Sequence, residues 1–155
     1  KNKTVALRNI SVEIGKGELL REGSDGAIIA IGHMVAAAVE AAERLSSEGV
    51  EVAVMNARFV RPLDTEMLLA LADTTGCLVT VEDHFLDGGF GSAVLEALEA
   101  NGRSGVKVAR IGVPVGVHQH GPPEVLRARF GMDADGIAQR VRDLIAADRR
   151  VGLHR

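Results

Sequence analysis

The sequence lacks tryptophan and tyrosine, and it contains only four phenylalanines and one cysteine. With so few aromatic rings, a platform on which the bases of single-stranded nucleic acid stack is not expected. A lone cysteine, Cys77, cannot form an intramolecular disulfide, so nothing indicates an oxidising compartment and we expect a cytoplasmic protein. Alanine, valine and leucine must therefore fill the core.

Charge is not concentrated in any one region either. The 18 basic and 21 acidic residues are spread along the chain and leave a net charge of −3, which disfavours nucleic acid and membrane surfaces as partners. No apolar run approaches the roughly 18 residues that a membrane-spanning helix needs. The chain has 155 residues, of which 46% are hydrophobic, and this is typical of one globular domain.

Short apolar runs alternate with longer amphipathic ones from residue 27 onward. The predicted strands cover 27–31, 50–56, 77–81 and 106–112, and the predicted helices cover 33–49, 64–76, a stretch from about residue 90, 122–130 and 135–149. Strands that alternate with helices predict a parallel sheet covered by helices on both faces. Residues 17–23 can add one more strand, although periodicity does not fix its direction.

The same alternation suggests how the chain is divided. Residues 1–14 precede the regular pattern and are expected to form an N-terminal arm or the remnant of a linker. The pattern predicts one α/β domain over residues 15–150, followed by a tail over 151–155.

Polar residues and glycines follow the predicted strand at 77–81. Open α/β sheets bind ligands beyond the carboxyl ends of their strands, so this segment is the first candidate for a site. Glu82, Asp83 and His84 offer acid–base chemistry. Gly88 and Gly89 favour a tight turn that lets the following helix approach closely, which is a structural use of glycine.

Two histidines lie in the proline- and glycine-rich loop after the predicted strand at 106–112. His118 and His120 would face the same side of an extended chain, and this spacing suits a transition metal. With Glu82, Asp83 and His84 nearby, a metal site is one hypothesis, although two imidazoles alone do not make one. Solvated histidines in a loop are the ordinary alternative.

Four further features favour structural roles. Asp25, with Asn56 downstream, imitates a Gly-Asp-Gly…Asn signature for Mg²⁺ and diphosphate, but Asp25 precedes a strand and is therefore predicted in a turn at the opposite edge of the sheet. Gly32 precedes a helix start, yet no G-x-G-x-x-G or P-loop accompanies it, so tight packing is favoured over phosphate binding. Cys77 is expected to be buried and unreactive. Ser92 lacks a G-x-S-x-G context and is expected to start or cap a helix.

Four blocks, in their order and spacing, resemble the C-terminal domain of the transketolase-like thiamine-diphosphate enzymes. The blocks are IGKGELLREGSD, VMNARFVRPLD, VTVEDHFLDGGFGSAVLEAL and ARIGVPVGVHQHGPPEVL. Within this family the sequence is most similar to the 1-deoxy-D-xylulose-5-phosphate synthases, for which NARFVRPLD and the pair His120 and Gly121 are the more particular marks. The similarity runs from about Ile14 to Ile145.

The resemblance implies a three-layer α/β/α fold whose mixed, five-stranded sheet has its first strand antiparallel to the others. It also implies that the whole enzyme is a homodimer that uses thiamine diphosphate and Mg²⁺ to form 1-deoxy-D-xylulose 5-phosphate and CO₂ from pyruvate and glyceraldehyde 3-phosphate, for isoprenoid precursors. In such enzymes an N-terminal domain holds the cofactor and a middle domain activates it. The resemblance therefore implies no catalytic, cofactor-binding or metal-binding residue here, and this chain alone is expected to be inactive.

The expected partners of the chain are those two other domains, in the same polypeptide or in a separate subunit. We expect the contact surface at the carboxyl ends of the strands. The candidate interface residues are Glu82, Asp83, His84, Gly88, Gly89, His118 and His120.

Three alternatives remain open from the sequence. The chain can belong to a separate C-terminal transketolase subunit or to a 2-oxo acid dehydrogenase β-type protein, whose blocks are related. It can be a free-standing scaffold or anion-binding module that uses Gly32, His33 and the glycines after Asp87. It can also be a small metal-dependent hydrolase built on the carboxylates and histidines named above.

Overall fold

A computed structural model describes residues 12–116 and 120–152, which form a five-stranded sheet covered by helices. The strands are β1 (Glu18–Arg21), β2 (Gly26–Ala30), β3 (Val52–Asn56), β4 (Cys77–Phe85) and β5 (Lys107–Val113). The helices are α1 (Met34–Ser47), α2 (Thr65–Thr75), α3 (Phe90–Ala100), α4 (Pro123–Arg129) and α5 (Ala134–Gly152).

The sheet is mixed, with the strand order β1-β3-β2-β4-β5. β1 runs antiparallel to β3, whereas the β2–β3, β2–β4 and β4–β5 pairs are parallel. The predicted fold class and the odd direction of the first strand are therefore confirmed.

Two cores lie on opposite faces of the sheet because side chains alternate along each strand. On one face Ile28 and Val54 pack under α1 and α5. On the other face Ile29 and Met55 pack against α2 and α3. Each such fully buried side chain contributes about 2 kcal/mol through removal of apolar surface from water. β2 is buried along its whole length, as its uninterrupted apolar run predicts.

Local signals set the helix ends where the sequence predicts them. The Asp64 carboxylate accepts a hydrogen bond from the Met67 backbone N–H at 3.1 Å and so caps α2. Its second oxygen accepts from the Gly17 N–H at 2.9 Å, which ties the segment before β1 to the same helix. Gly49 follows α1 with a φ of 81°, the left-handed conformation that ends a helix.

Two elements extend beyond their predicted ends. β4 continues past Val81 to Phe85, because Phe85 pairs with Val113 of β5 beyond a bulge. α5 continues to Gly152. α5 therefore reaches into the tail predicted over residues 151–155. Residues 1–11 and 153–155 lie outside the described residues, so the arm and the rest of the tail stay predictions. In the part of the chain that is described, no helix combines the length and apolar character needed to cross a membrane.

Candidate functional site

A cleft opens at the carboxyl edge of the sheet, between the ends of β2 and β4. The chain leaves β2 through α1 on one face, and it leaves β4 through α3 on the other face. Such a reversal is a topological switch point, where open α/β sheets bind their ligands. The switch-point cleft has a volume of about 370 Å³, and its lining includes Ile31, Gly32, His33, Val60, His84 and Gly88.

Glu82 lies at the base of this cleft and is the buried carboxylate of β4. It is 1% exposed. Its two oxygens accept hydrogen bonds from the backbone N–H groups of Phe90, at 2.6 Å, and Gly91, at 2.8 Å. Both donors belong to the first turn of α3, whose N-terminus favours negative charge. Glu82 therefore caps a helix that begins eight residues after it.

Two glycines make that cap possible by close approach. A methyl group at Gly89 would overlap the Glu82 carboxylate and the Phe85 carbonyl oxygen. A methyl group at Gly91 would lie 2.7 Å from the Thr80 hydroxyl. The predicted structural use of the glycines after Asp87 is confirmed at these two positions, and the N–H groups that an external anion would use there are already bonded to Glu82.

Asp83 and His84 are exposed, unlike Glu82. Asp83 is paired with Arg127 of α4, whose Nη2 and Nε donate to one carboxylate oxygen at 2.8 and 3.2 Å. His84 lies at the rim, where its Nδ1 is 3.3 Å from the carbonyl oxygen of Phe85. Its ring meets the Phe85 ring edge-on, with centroids 5.9 Å apart. Although Glu82, Asp83 and His84 are adjacent in the sequence, they therefore lie in three different environments: Glu82 is buried, Asp83 is paired with Arg127, and His84 is at the rim of the cleft.

The opposite wall of the cleft is the start of α1. His33 occupies the N-cap position and makes no side-chain hydrogen bond to the helix, and the first turn carries no acidic residue. Gly32 has a φ of 63°, in the region that favours glycine. α1 therefore presents its positive end and an imidazole to the cleft without a carboxylate of its own.

The described residues give no support to a metal centre. They contain no group of three histidine, cysteine or acidic side chains that could hold an ion. His120 is exposed in the loop after β5, and His118 lies outside the described residues. Because Glu82 is bonded to α3 and Asp83 to Arg127, the carboxylates proposed for a hydrolase do not converge.

The remaining motifs lie where their sequence context predicts. Asp25 precedes β2 at the amino edge, and its carboxylate accepts from the Glu51 N–H at 2.8 Å, as expected for a turn. Cys77 is buried, and burial raises the pKa of its thiol. Ser92 was predicted to start or cap a helix; it lies inside the first turn of α3, whose N-cap is Gly89, so it starts the helix and does not cap it. The Ser92 hydroxyl donates to the Leu86 carbonyl oxygen at 3.2 Å.

Two features of the cleft were missed by reasoning from the sequence. Val60 lines the cleft from the loop between β3 and α2, a position that no local pattern indicates. The capping role of Glu82 has a faint signal, namely an acidic residue after a strand followed by Gly89, Phe90 and Gly91 at a helix start. In a usual cap the capping side chain belongs to a residue at the helix start, whereas here the carboxylate belongs to the neighbouring strand.

Comparisons with known proteins agree with this geometry. Residues 15–137 match the family described as transketolase, C-terminal domain. The chain is 57% identical over 129 residues to 1-deoxy-D-xylulose-5-phosphate synthase 1 of Geobacter metallireducens, a match that covers 83% of this chain and 21% of that enzyme. It is 53% identical over 139 residues to 1-deoxy-D-xylulose-5-phosphate synthase of Heliobacterium modesticaldum, covering 90% of this chain and 21% of that enzyme.

A solved structure is also similar. A split-gene transketolase, described as an inactive β4 tetramer, matches with a TM-score of 0.83 and 35% sequence identity, over 93% of this chain and 46% of that one. The chain spans about a fifth of the length of the curated relatives it matches.

Proposed function

Because the chain belongs to the transketolase C-terminal domain family, we propose that it is the C-terminal domain of a 1-deoxy-D-xylulose-5-phosphate synthase. The observation that carries the proposal is the 57% identity to such a synthase, sustained over 83% of this chain. The whole enzyme would join pyruvate to glyceraldehyde 3-phosphate, release CO₂ and form 1-deoxy-D-xylulose 5-phosphate for isoprenoid precursors. Thiamine diphosphate would supply the electron sink for the decarboxylation.

The cofactor and its Mg²⁺ are proposed to bind outside this chain. The described residues do not fit a diphosphate–metal site, because Asp25 lies at the amino edge while Asn56 lies at the carboxyl end of β3. Asn56 is also engaged locally, since its Oδ1 accepts from the Arg58 N–H at 3.1 Å. Each carboxylate oxygen of the buried Glu82 accepts a hydrogen bond from the start of α3. No catalytic step is therefore assigned to a residue of this chain.

The role proposed for the chain is to complete the enzyme by packing against its other domains, through the carboxyl edge and in a homodimer. Asp83, His84, Gly88, Gly89 and His120 offer the exposed part of the predicted interface, whereas Glu82 supports it from beneath. The solved relative, a split-gene transketolase, is described as an inactive β4 tetramer. That description supports the expectation that this chain alone is inactive.

The test is an assay of the full-length protein that carries this domain. With pyruvate, glyceraldehyde 3-phosphate, thiamine diphosphate and Mg²⁺, mass spectrometry is expected to detect 1-deoxy-D-xylulose 5-phosphate and CO₂. A full-length protein that instead transfers ketol units between sugar phosphates would favour a transketolase, the second candidate suggested by the split-gene relative. Micromolar binding of thiamine diphosphate by this chain alone, measured by calorimetry, would overturn the proposed location of the cofactor.

A further inference from the structure

A second cavity lies at β5, the strand at one edge of the sheet, beside the turn between α4 and α5. This β5-edge cavity has a volume of about 310 Å³, and its described lining differs entirely from that of the switch-point cleft. The lining includes Leu86, Ile111, Phe130 and two arginines, Arg110 and Arg140. None of the described lining residues is acidic, so the cavity carries positive charge.

The two arginines also differ from most cations of the domain in having no acidic partner. Of the lysine and arginine side chains that the structure describes, only Arg110, Arg129 and Arg140 form no ion pair within it. Two of these three line the same cavity. Cations that share a cavity without an acidic neighbour focus a positive potential there, and that potential attracts an anion.

The guanidinium of Arg110 is half-buried and held in one position. Its Nη1 donates to the Leu86 carbonyl oxygen at 2.9 Å and to the Ser92 hydroxyl at 3.1 Å. Among the described residues its Nε and Nη2 make no hydrogen bond, and neither atom is sealed from solvent. Nε and Nη2 form one side of the guanidinium fork, which binds phosphate or carboxylate through two parallel hydrogen bonds.

Charge and size together indicate which anion fits. Two guanidinium groups favour a group with two negative charges over a carboxylate with one, and a phosphate monoester carries nearly two at neutral pH. The 310 Å³ volume is about ten times the space that one water molecule takes in the liquid, which leaves room beside a phosphate. Leu86, Ile111 and Phe130 give that remaining space an apolar wall.

We propose that the β5-edge cavity binds a small organic phosphate. Its phosphate lies between the guanidinium groups of Arg110 and Arg140, and its organic part contacts Leu86 and Phe130. This inference goes beyond the proposed function and does not depend on which reaction the whole enzyme catalyses.

Chemical modification of arginine in the full-length protein tests the site residue by residue. Phenylglyoxal reacts with exposed arginines, and peptide mass spectrometry follows Arg140 and the matched control Arg129, which is also exposed and unpaired but is not in the described lining. Saturating phenyl phosphate should slow modification of Arg140 at least about tenfold and leave Arg129 unaffected. Equal slowing at both arginines, no slowing at Arg140, or an Arg140 that is unreactive without the probe would each overturn the proposal.

Two further probes separate the parts of the ligand. Inorganic phosphate has the charge without the ring, and benzoate has the ring with a single negative charge. Each should need an at least about tenfold higher concentration than phenyl phosphate for half-protection of Arg140. Half-protection by inorganic phosphate at the same concentration would refute the organic part of the ligand, and the same result with benzoate would refute the phosphate.

Arg110→Gln removes the held cation. Because hydrogen bonds to charged groups are among the strong ones, the concentration of phenyl phosphate that half-protects Arg140 should rise at least about tenfold. Arg129→Gln, the matched control, should leave this concentration unchanged. A variant without Arg110 that is folded by circular dichroism and protected at the wild-type concentration would overturn the site. If Arg110→Gln does not fold, the wild-type measurements decide the proposal.

Discussion

The amino and carboxyl edges of the sheet are formed by the same strands, but they differ in which surfaces they leave uncovered. At the amino edge, ion pairs hold the chain reversals: Glu51 accepts from Arg21 at 2.6 Å and from Ser46 at 2.7 Å. At the carboxyl edge a buried carboxylate, Glu82, holds the start of α3 and leaves an open cleft above it. The chain reversals at the amino edge are therefore held by contacts within the domain. At the carboxyl edge Glu82 is also bonded within the domain, but the cleft above it remains open to a partner.

The positions of the histidines also distinguish the two edges. The three histidines of the described residues, His33, His84 and His120, all lie in segments at the carboxyl edge. Exposed apolar side chains accompany them there, at Val60 and Phe85. An edge that combines an open cleft with exposed apolar groups and imidazoles is suited to association.

The largest expected effect comes from removing the carboxylate that supports the open edge. Glu82→Ala leaves the N–H groups of Phe90 and Gly91 buried without acceptors, which should lower the free energy of unfolding by about 3 kcal/mol. Glu82→Gln keeps one acceptor oxygen and should cost about half as much. Urea unfolding followed by circular dichroism measures both changes, and an Ala variant as stable as the wild type would mean that the cap contributes nothing.

A smaller loss of stability is expected when the approach of α3 is blocked sterically. Gly89→Ala introduces a methyl group that overlaps the Glu82 carboxylate, and overpacking of this kind costs about 2 kcal/mol. Gly105→Ala is the matched control, because a methyl group at that turn meets nothing within 4 Å. Equal urea midpoints for the two variants would contradict the close packing of Gly89 against Glu82.

At the amino edge the expected changes are small and depend on pH. Two hydrogen bonds from Arg142 hold the pKa of Glu48 below its ordinary value of 4.5. A lowered pKa in the folded state means that this pair stabilises the fold above about pH 4.5 and ceases to do so as the pH falls through the folded-state pKa. Arg142→Ala should therefore lower the urea midpoint slightly at pH 7 and by less at pH 3.

The control for this pair is the neighbouring Arg140, which is exposed and makes no ion pair within the described residues. Arg140→Ala should leave the midpoint unchanged at both values of pH. A difference between the Arg142 variant and the wild type that is the same at pH 7 and pH 3 would show that the Glu48 carboxylate is not its cause.

The last prediction compares the reactivity of cysteine thiols at the two edges and involves no change in stability. Cys77 begins β4 at the amino edge, where burial raises the pKa of its thiol, so it should react with a thiol reagent only when the chain unfolds. A cysteine placed at the rim by His84→Cys should react at once in the folded chain. Immediate labelling of Cys77 in the native chain would contradict the closed packing of this edge.

The sequence predicts the fold well because its strongest signals are periodic. The apolar run of β2 and the Asp64 cap of α2 each act locally, and both lie where they were predicted. The direction of β1 came from the family resemblance, since a short strand carries no local signal for its direction. The end of β4 was missed because Glu82 and the two polar residues after it are unlike strand residues, and only pairing of Phe85 with β5 extends the strand to that point.

The site could be predicted less well, for a physical reason. Glu82 can be buried because its carboxylate oxygens accept hydrogen bonds from backbone N–H groups at the start of α3, which a turn brings back against β4. Every residue other than proline has a backbone N–H group, so such a partner cannot be recognised from the sequence. Val60 enters the cleft through the position of its loop, which depends on the whole sheet. Residues whose role is tertiary were therefore located in the right segment but given the wrong environment.

The most direct test of the account is the protection of the carboxyl edge in the full-length enzyme. Val60→Cys and Leu19→Cys have similar exposure in this domain, 38% and 41% for the native side chains, and differ in which part of the sheet they report. Alkylation of each cysteine in the full-length enzyme is followed by peptide mass spectrometry. Val60→Cys is expected to react at least about tenfold more slowly than Leu19→Cys, because a partner covers the cleft. Equal rates would contradict it.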